Sequence, residues 1–307
     1  MTDEIVLDVE HLQKDFGKFQ ALKDVTLQVK RGEVFGFIGP NGAGKSTTLR
    51  VILGILRKSG GQATLFGEDV YDQAVTVHKR IAYVPGDVYL WPNLTGGEVI
   101  DLMLKMSGEK HNARTDELIA KFQLDTRKKA RTYSKGNRQK VALIAALSTD
   151  AEFFIFDEPT SGLDPLNEKI FQNEVLHLKE QGKSVLLSSH ILSEVEKMVD
   201  RLAIIREGTV VETGSLAELR HLTRTSVSVT TKQAMTGLEQ LAGVHDLVAT
   251  VDNGVTKSEF MLDGEKLADL MAQLSTLAVL DLKVQPATLE DVFMRYYNDA
   301  NDARAEG

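Results

Sequence analysis

Short apolar runs punctuate the first two-thirds of the chain, separated by longer stretches with apolar residues every three or four positions. The runs at 5–9, 25–29, 34–38, 81–84, 153–156, 184–187 and 202–205 read as strands, while 165–181 and 191–200 carry helical spacing. Strand and helix alternate along the later runs, which is the rhythm of a parallel sheet, and the early strands suit an antiparallel edge. Residues 96–147 interrupt this alternation with segments such as Glu98-Val99-Ile100-Asp101-Leu102-Met103-Leu104, and read as a helical insertion. From residue 221 the order becomes strand 226–230, helix 232–241, strands 244–251 and 259–262, helix 265–277, strand 279–284 and helix 289–297. That β-α-β-β-α-β order with a trailing helix predicts a small α+β domain of ferredoxin-like type. The expected organisation is an α/β domain over 1–220, with a helical subdomain at about 96–147, and an accessory domain over 221–307.

Composition narrows the chemistry. The 307 residues are 42% hydrophobic and 26% charged, as in ordinary globular proteins. There is no cysteine, so disulfides, thiolate metal sites and a cysteine nucleophile are excluded. No apolar segment approaches the roughly 20 residues that span a bilayer, and a net charge of -8 speaks against a uniformly basic nucleic-acid surface. The patch Arg127-Lys128-Lys129-Ala130-Arg131 reads as a solvated helix face.

The strand at 34–38 runs into Gly39-Pro40-Asn41-Gly42-Ala43-Gly44-Lys45-Ser46-Thr47, which fits G-x-x-x-x-G-K-[ST] between a strand and a helix. Glycines here let successive backbone N–H groups turn inward on phosphate oxygens, with the positive end of a helix dipole behind them. Lys45 is expected to reach the β- and γ-phosphates and Ser46 to ligate magnesium, with Thr47 a further phosphate contact. Further on, the apolar strand Phe153-Phe154-Ile155-Phe156 ends in Asp157-Glu158, two carboxylates at the sheet edge where α/β folds bind ligands. Asp157 is expected to hold Mg2+ through water, and Glu158 to polarise the attacking water as general base.

Three more segments fall in order: Tyr133-Ser134-Lys135-Gly136-Asn137-Arg138-Gln139 before an apolar helix, Ser161-Gly162-Leu163-Asp164-Pro165 after the acidic pair, and Ser188-Ser189-His190 at a strand end. Over residues 4 to 220 the chain resembles the ATP-binding cassette (ABC) ATPases, the motor subunits of ABC transporters. The resemblance implies that ATP and Mg2+ are bound, and that two copies, or one copy and a paralogue, pack head to tail. Each ATP then lies between the phosphate loop of one subunit and the Ser134 segment of the other. It assigns Gly39, Asn41, Gly42, Gly44, Lys45, Ser46 and Thr47 to the phosphates, and Ser134 and Gly136 to the opposing γ-phosphate. Asp164 joins the two sites, His190 senses the γ-phosphate, and Phe16 stacks on adenine. His78 and His111, without a partner pattern, read as surface residues.

Two departures from the family pattern stand out. The usual Leu-Ser-Gly-Gly-Gln becomes Tyr133-Ser134-Lys135-Gly136-Asn137, so a cation replaces a glycine. After Ile81-Ala82-Tyr83-Val84-Pro85 the family's glutamine is replaced by Gly86, followed by Asp87, which could take over part of the metal contact. The C-terminal region and the segment Thr288-Leu289-Glu290-Asp291-Val292-Phe293 resemble those of bacterial drug-exporter ATPases. The expected function is an ATPase that drives a separately encoded membrane permease, located in the cytoplasm against the inner face of the membrane. The permease's cytoplasmic helix is expected to lodge near 88–95, around Trp91, and no nucleic-acid partner is expected. The alternatives are a soluble ABC-type ATPase without a membrane partner and a weakly hydrolysing nucleotide-responsive regulator.

Overall fold

The computed structural model describes residues 4–221, 224–232, 238, 241–252, 254–263, 266–275 and 277–285. The chain divides into two compact units, Met1–Thr213 and Gly214–Gly307.

In the first unit a long hairpin, β1 (Ile5–Phe16) and β2 (Phe19–Lys30), precedes β3 (Val34–Ile38) and α1 (Lys45–Ile52). The hairpin β4 (Gly60–Leu65) and β5 (Glu68–Asp69), helix α2 (Ala74–His78) and strand β6 (Ile81–Val84) follow. Three helices come next, α3 (Gly96–Met106), α4 (Ala113–Lys121) and α5 (Lys135–Leu147). The chain then runs through β7 (Phe153–Asp157), α6 (Pro165–Glu180), β8 (Ser184–Ser189), α7 (Leu192–Val195), β9 (Arg201–Arg206) and β10 (Thr209–Ser215). The sheet order is β5-β4-β1-β2-β10-β9-β3-β8-β7-β6. β6, β7, β8, β3 and β9 run parallel, whereas β1 pairs antiparallel with both β2 and β4. The sheet is mixed, with the expected antiparallel edge. Because β3, β7 and β8 are parallel neighbours, the phosphate loop, Asp157-Glu158 and Ser188-Ser189-His190 all emerge from one edge.

Every residue of β3, β7 and β8 is buried, as apolar parallel strands covered on both faces must be. Phe156 packs edge-on against Phe171 of α6 at 5.2 Å between ring centroids. Helix starts are fixed locally. Thr95 and Glu98 form a capping box on α3, Asn112 and Thr115 one on α4, and Asp164 with Pro165 opens α6.

Several boundaries differ from the sequence pattern. β1 and β2 extend seven and six residues further towards their turn than expected, through positions without apolar alternation, because each strand's backbone is paired across the hairpin. β4, β5 and β10 carry no strong period, so the apolar pattern does not predict them. The helix expected over 191–200 is confined to α7, since Asp200 must close onto β3. Its N–H donates to the Val34 carbonyl at 2.8 Å, and its carboxylate accepts from the Val34 N–H at 3.0 Å.

The second unit contains α8 (Leu216–His221), β11 (Thr225–Thr231), β12 (Val244–Asp252), β13 (Val255–Leu262), α9 (Leu267–Leu274) and β14 (Val279–Gln285). Its four strands form a separate antiparallel sheet in the order β12-β13-β11-β14. The first and third strands therefore lie in the middle, as a split β-α-β path requires. Val227, Val229, Leu238, Phe260, Leu262, Leu270 and Leu274 form its core. Residues 233–237 and 239–240 of the helix expected at 232–241, all of that at 289–297, and the 288–293 segment lie outside the described residues.

Candidate functional site

The phosphate loop wraps the end of β3. Gly44 caps α1 with φ 114°, a conformation closed to side-chain-bearing residues, and a Cβ there would stand 2.8 Å from Leu22. Gly39 is buried, Asn41 and Gly42 are exposed, and Ser46 and Thr47 sit half-buried in the first turn of α1. Lys45 is 5% exposed. Its ammonium donates to the Gly39 carbonyl at 2.6 Å and to the Pro40 carbonyl at 3.3 Å.

β7 delivers the two acids differently. Asp157 is buried and accepts a hydrogen bond from the Ser188 hydroxyl at 2.5 Å, because the register places Ser188 directly opposite it. Burial, with the Asp157 charge adding to it, pushes the Tyr83 phenol up to about 12. Glu158 leaves the strand with φ 49°, a strained left-handed turn of the kind that clusters at functional sites. The turn is pinned by Glu158 N–H donating to the Ser188 carbonyl at 3.1 Å. It aims the carboxylate between two partners. Oε1 lies 3.3 Å from Lys45 Nζ, out of line for a directed hydrogen bond, and Oε2 lies 2.6 Å from His190 Nδ1. Lys45, Glu158 and His190 thus meet at one point, from three sequence segments more than 30 residues apart.

The Ser134 segment forms the N-terminus of α5. The Ser134 hydroxyl accepts from Asn137 N–H at 3.2 Å, and the apolar part of α5 is buried from Val141 to Leu147. Gly136 is packed against the 161–164 loop so closely that a Cβ would stand 2.2 Å from the Gly162 carbonyl. Asp164 caps α6, accepting from Asn167 N–H at 3.0 Å and from Asn167 Nδ2 at 2.6 Å. These bonds hold its carboxyl below the usual range. Gly86 backs onto the acid pair, its missing Cβ 3.2 Å from the Asp157 carbonyl, while the Asp87 carboxylate faces Lys135 at 3.7 Å.

Phe16 lies at the β1–β2 turn, 48% exposed, with Lys14 Nζ 5.0 Å from its ring centre; it is a surface ring, not core. Trp91, also half-exposed, borders a groove of about 220 Å³ with Tyr83, Met103, Met106, Ala145 and Ala146. His111 is exposed, as expected, but tied to two acids. It bridges Asp101 at 2.7 Å and Asp116 at 3.1 Å, and the Asp101 hydrogen bond, followed by that of Asp116, raises its pKa. His78 is held by the Leu53 carbonyl at 2.7 Å. Sequence reasoning gave no role to Ser188; only strand register, which pattern does not supply, brings it to Asp157.

The donor set suits magnesium. Ser46 and Asp157 offer hard oxygens, and among the described residues there is no cluster of three acidic, histidine or cysteine side chains that could hold a metal. Mg2+ characteristically takes one or two protein oxygens and completes its shell with phosphate and water. Among the described residues no helix is long and apolar enough to cross a membrane.

Comparisons with known proteins point the same way. The ABC transporter family profile matches residues 22–161. An uncharacterized ABC transporter ATP-binding protein of Synechocystis is 35% identical, with 91% of this chain and 78% of that protein covered. The bacitracin transport ATP-binding protein BcrA of Bacillus licheniformis is 31% identical, covering 94% and 96%. The linearmycin resistance ATP-binding protein LnrL of Bacillus subtilis is also 31% identical, covering 94% and 97%. Among solved structures, the ATP-binding subunit of an ABC transporter superposes with TM-score 0.65 at 32% identity, over 71% of this chain and 92% of that one. A nucleotide-free ATP-binding cassette gives 0.58 at 26% identity, covering 69% and 91%.

Proposed function

Because the chain belongs to the ATP-binding proteins of ABC transporters, we propose that it hydrolyses MgATP between two copies of itself, or with a paralogue, and thereby drives a separately encoded membrane permease. The observation that carries the reading is the convergence of Lys45, Glu158 and His190 at the edge of β3, β7 and β8. Phosphoryl transfer needs charge neutralisation, an oriented water and little covalent chemistry, and these three groups supply a cation, a base and a hydrogen-bond donor to the γ-phosphate. The Lys45 ammonium donates to two loop carbonyls and lies 3.3 Å from the Glu158 carboxylate. A triphosphate entering the loop takes that cation and frees the carboxylate for water.

Gly39, Asn41, Gly42, Gly44 and Thr47 bind the phosphates with Lys45 in this reading, while Ser46 and Asp157 hold Mg2+ and Phe16 offers its exposed face to adenine. Magnesium, when bound, neutralises charge developing on the transferred phosphoryl group. Ser134 and Gly136 present the N-terminus of α5 to the γ-phosphate of the opposing copy, with Asp164 on the adjoining loop. Residues 1–220 are assigned to the ATPase cassette and 221–307 to an accessory domain.

The apolar groove beside Trp91 is proposed as the seat of the permease's cytoplasmic helix, which would bring the protein to the inner face of the membrane. Similarity to BcrA and LnrL along nearly the whole chain favours export of antibiotic-like compounds. Phosphate release by the purified protein tests the reading. Turnover that requires Mg2+ and falls by about 10²-fold or more in Glu158→Gln is expected. Equal rates in the two proteins would remove Glu158 from its role.

A further inference from the structure

Lys135 stands at the first position of α5, where a positive charge opposes the helix dipole. Its presence there is not explained by helix stability, and its contacts lead elsewhere. The ammonium donates to the Ser161 hydroxyl at 2.8 Å and lies 3.7 Å from Asp87 Oδ1. The aliphatic stem covers Gly162, with Cγ and Cδ 3.3 and 3.4 Å from the point where a Cβ of Gly162 would be. Asp87 follows Gly86, which packs on the Asp157 carbonyl and the Glu158 Cβ. Ser161 N–H donates to the Glu158 carbonyl at 3.1 Å, and its loop ends at the Asp164 cap of α6.

We propose that Lys135 is a positioning residue that staples two loops, the one after β6 and the one after Glu158, to the N-terminus of α5. The proposal rests on the two-copy reading above and deepens it. Glu158 serves the ATP bound by its own copy, while Ser134 serves the ATP bound by the other. A staple between them makes the position of one site's base depend on whether the opposing site is filled. Gly86 leaves the loop short of a side chain that could reach the metal, and the Asp87–Lys135 pair supplies a different route by which that loop follows the site. The contact is exposed, so its strength is modest and screened by salt.

The test uses full-length Lys135→Gln, Lys135→Arg, Asp87→Asn and the double variant Lys135→Gln/Asp87→Asn. Lys135→Gln is expected to lower kcat about three- to tenfold. The Kd of a fluorescent ATP analogue for the protein at a concentration where it is monomeric should not change. Lys135→Arg, which keeps cation and reach, is expected to restore kcat to within about twofold. Because both residues act through one contact, the double variant should be no slower than Lys135→Gln alone. Multiplying effects in the double variant would overturn the proposal, as would an unchanged kcat in Lys135→Gln. A raised KM at full kcat would make Lys135 a direct phosphate ligand and overturn it equally.

Amide hydrogen exchange over 161–164 in nucleotide-free protein is a second readout that needs no turnover. It should quicken in Lys135→Gln, and unchanged exchange counts against the staple. A wild-type protein with no ATPase activity would instead strike at the functional reading while leaving the exchange result to decide the staple.

Discussion

Gly136→Ala is the substitution whose effect the geometry fixes most tightly. The added methyl would stand 2.2 Å from the Gly162 carbonyl oxygen, a backbone atom that no rotamer change can remove. Close C···O contacts settle at about 3.3–3.6 Å, so α5 and the 161–164 loop must separate by about 1 Å. Overpacking of this kind costs about 1–3 kcal/mol. Replacing a helical glycine returns up to about 1 kcal/mol of helix propensity, so the net loss of stability should be no more than about 2 kcal/mol. The catalytic effect should be larger, because a shift of about 1 Å in a reacting constellation can cost about 10²-fold. The assay pairs urea denaturation with phosphate release at saturating MgATP. Gly97→Ala is the matched control: it too is the second residue of a helix, α3, but its Cβ would meet Thr126 at an ordinary 3.5 Å. That variant should be neutral or slightly stabilised, with normal turnover. If Gly136→Ala kept turnover within twofold of the unsubstituted protein, the close docking of α5 on the Asp164 loop would not matter to the site.

Other substitutions test separate parts of the account. Ser188→Ala removes the hydroxyl that holds Asp157, and the Mg2+ concentration for half-maximal ATPase should rise about tenfold; an unchanged requirement would detach Ser188 from the metal. His111 should titrate above an ordinary histidine in NMR spectra, and Asp101→Asn should lower its midpoint. Since the folded pKa is the raised one, this contact's stabilisation is complete below the ordinary histidine pKa and disappears as pH rises through the folded value. A midpoint at or below the ordinary value would contradict the bridge. Gln139 is 1% exposed and neither of its amide atoms has a hydrogen-bond partner. Gln139→Leu should therefore raise the unfolding midpoint, and a loss of more than about 1 kcal/mol would show that the amide is satisfied.

Much of the cassette was legible in the sequence because its signals are local. The phosphate loop lies between a strand and a helix as read, β7 ends in the two acids, and Asp164-Pro165 opens α6 as a cap followed by proline. What escaped pattern was set by pairing across the chain. The outer half of the β1–β2 hairpin is held by backbone bonds without apolar alternation, and the 191–200 helix is cut short by Asp200 bonding to Val34. Site contacts followed the same division. Lys45 and Glu158 could be named from motifs, but the Ser188 bond to Asp157 depends on register, and the positive φ of Glu158 on how its turn closes. Lys135 was visible as an intruder in its motif, while its partners Ser161 and Asp87 lie 26 and 48 positions away.

The proposed shared site can be tested directly by measuring the molar mass of the Glu158→Gln protein in solution with MgATP and without nucleotide. A variant that binds ATP but does not cleave it should double in mass with MgATP and return to a single chain when nucleotide is removed. Ser134→Arg placed on the same background should prevent the doubling while leaving ATP bound at Lys45. A protein that stays a single chain with ATP bound, or a dimer indifferent to Ser134→Arg, would contradict hydrolysis at an interface of two copies.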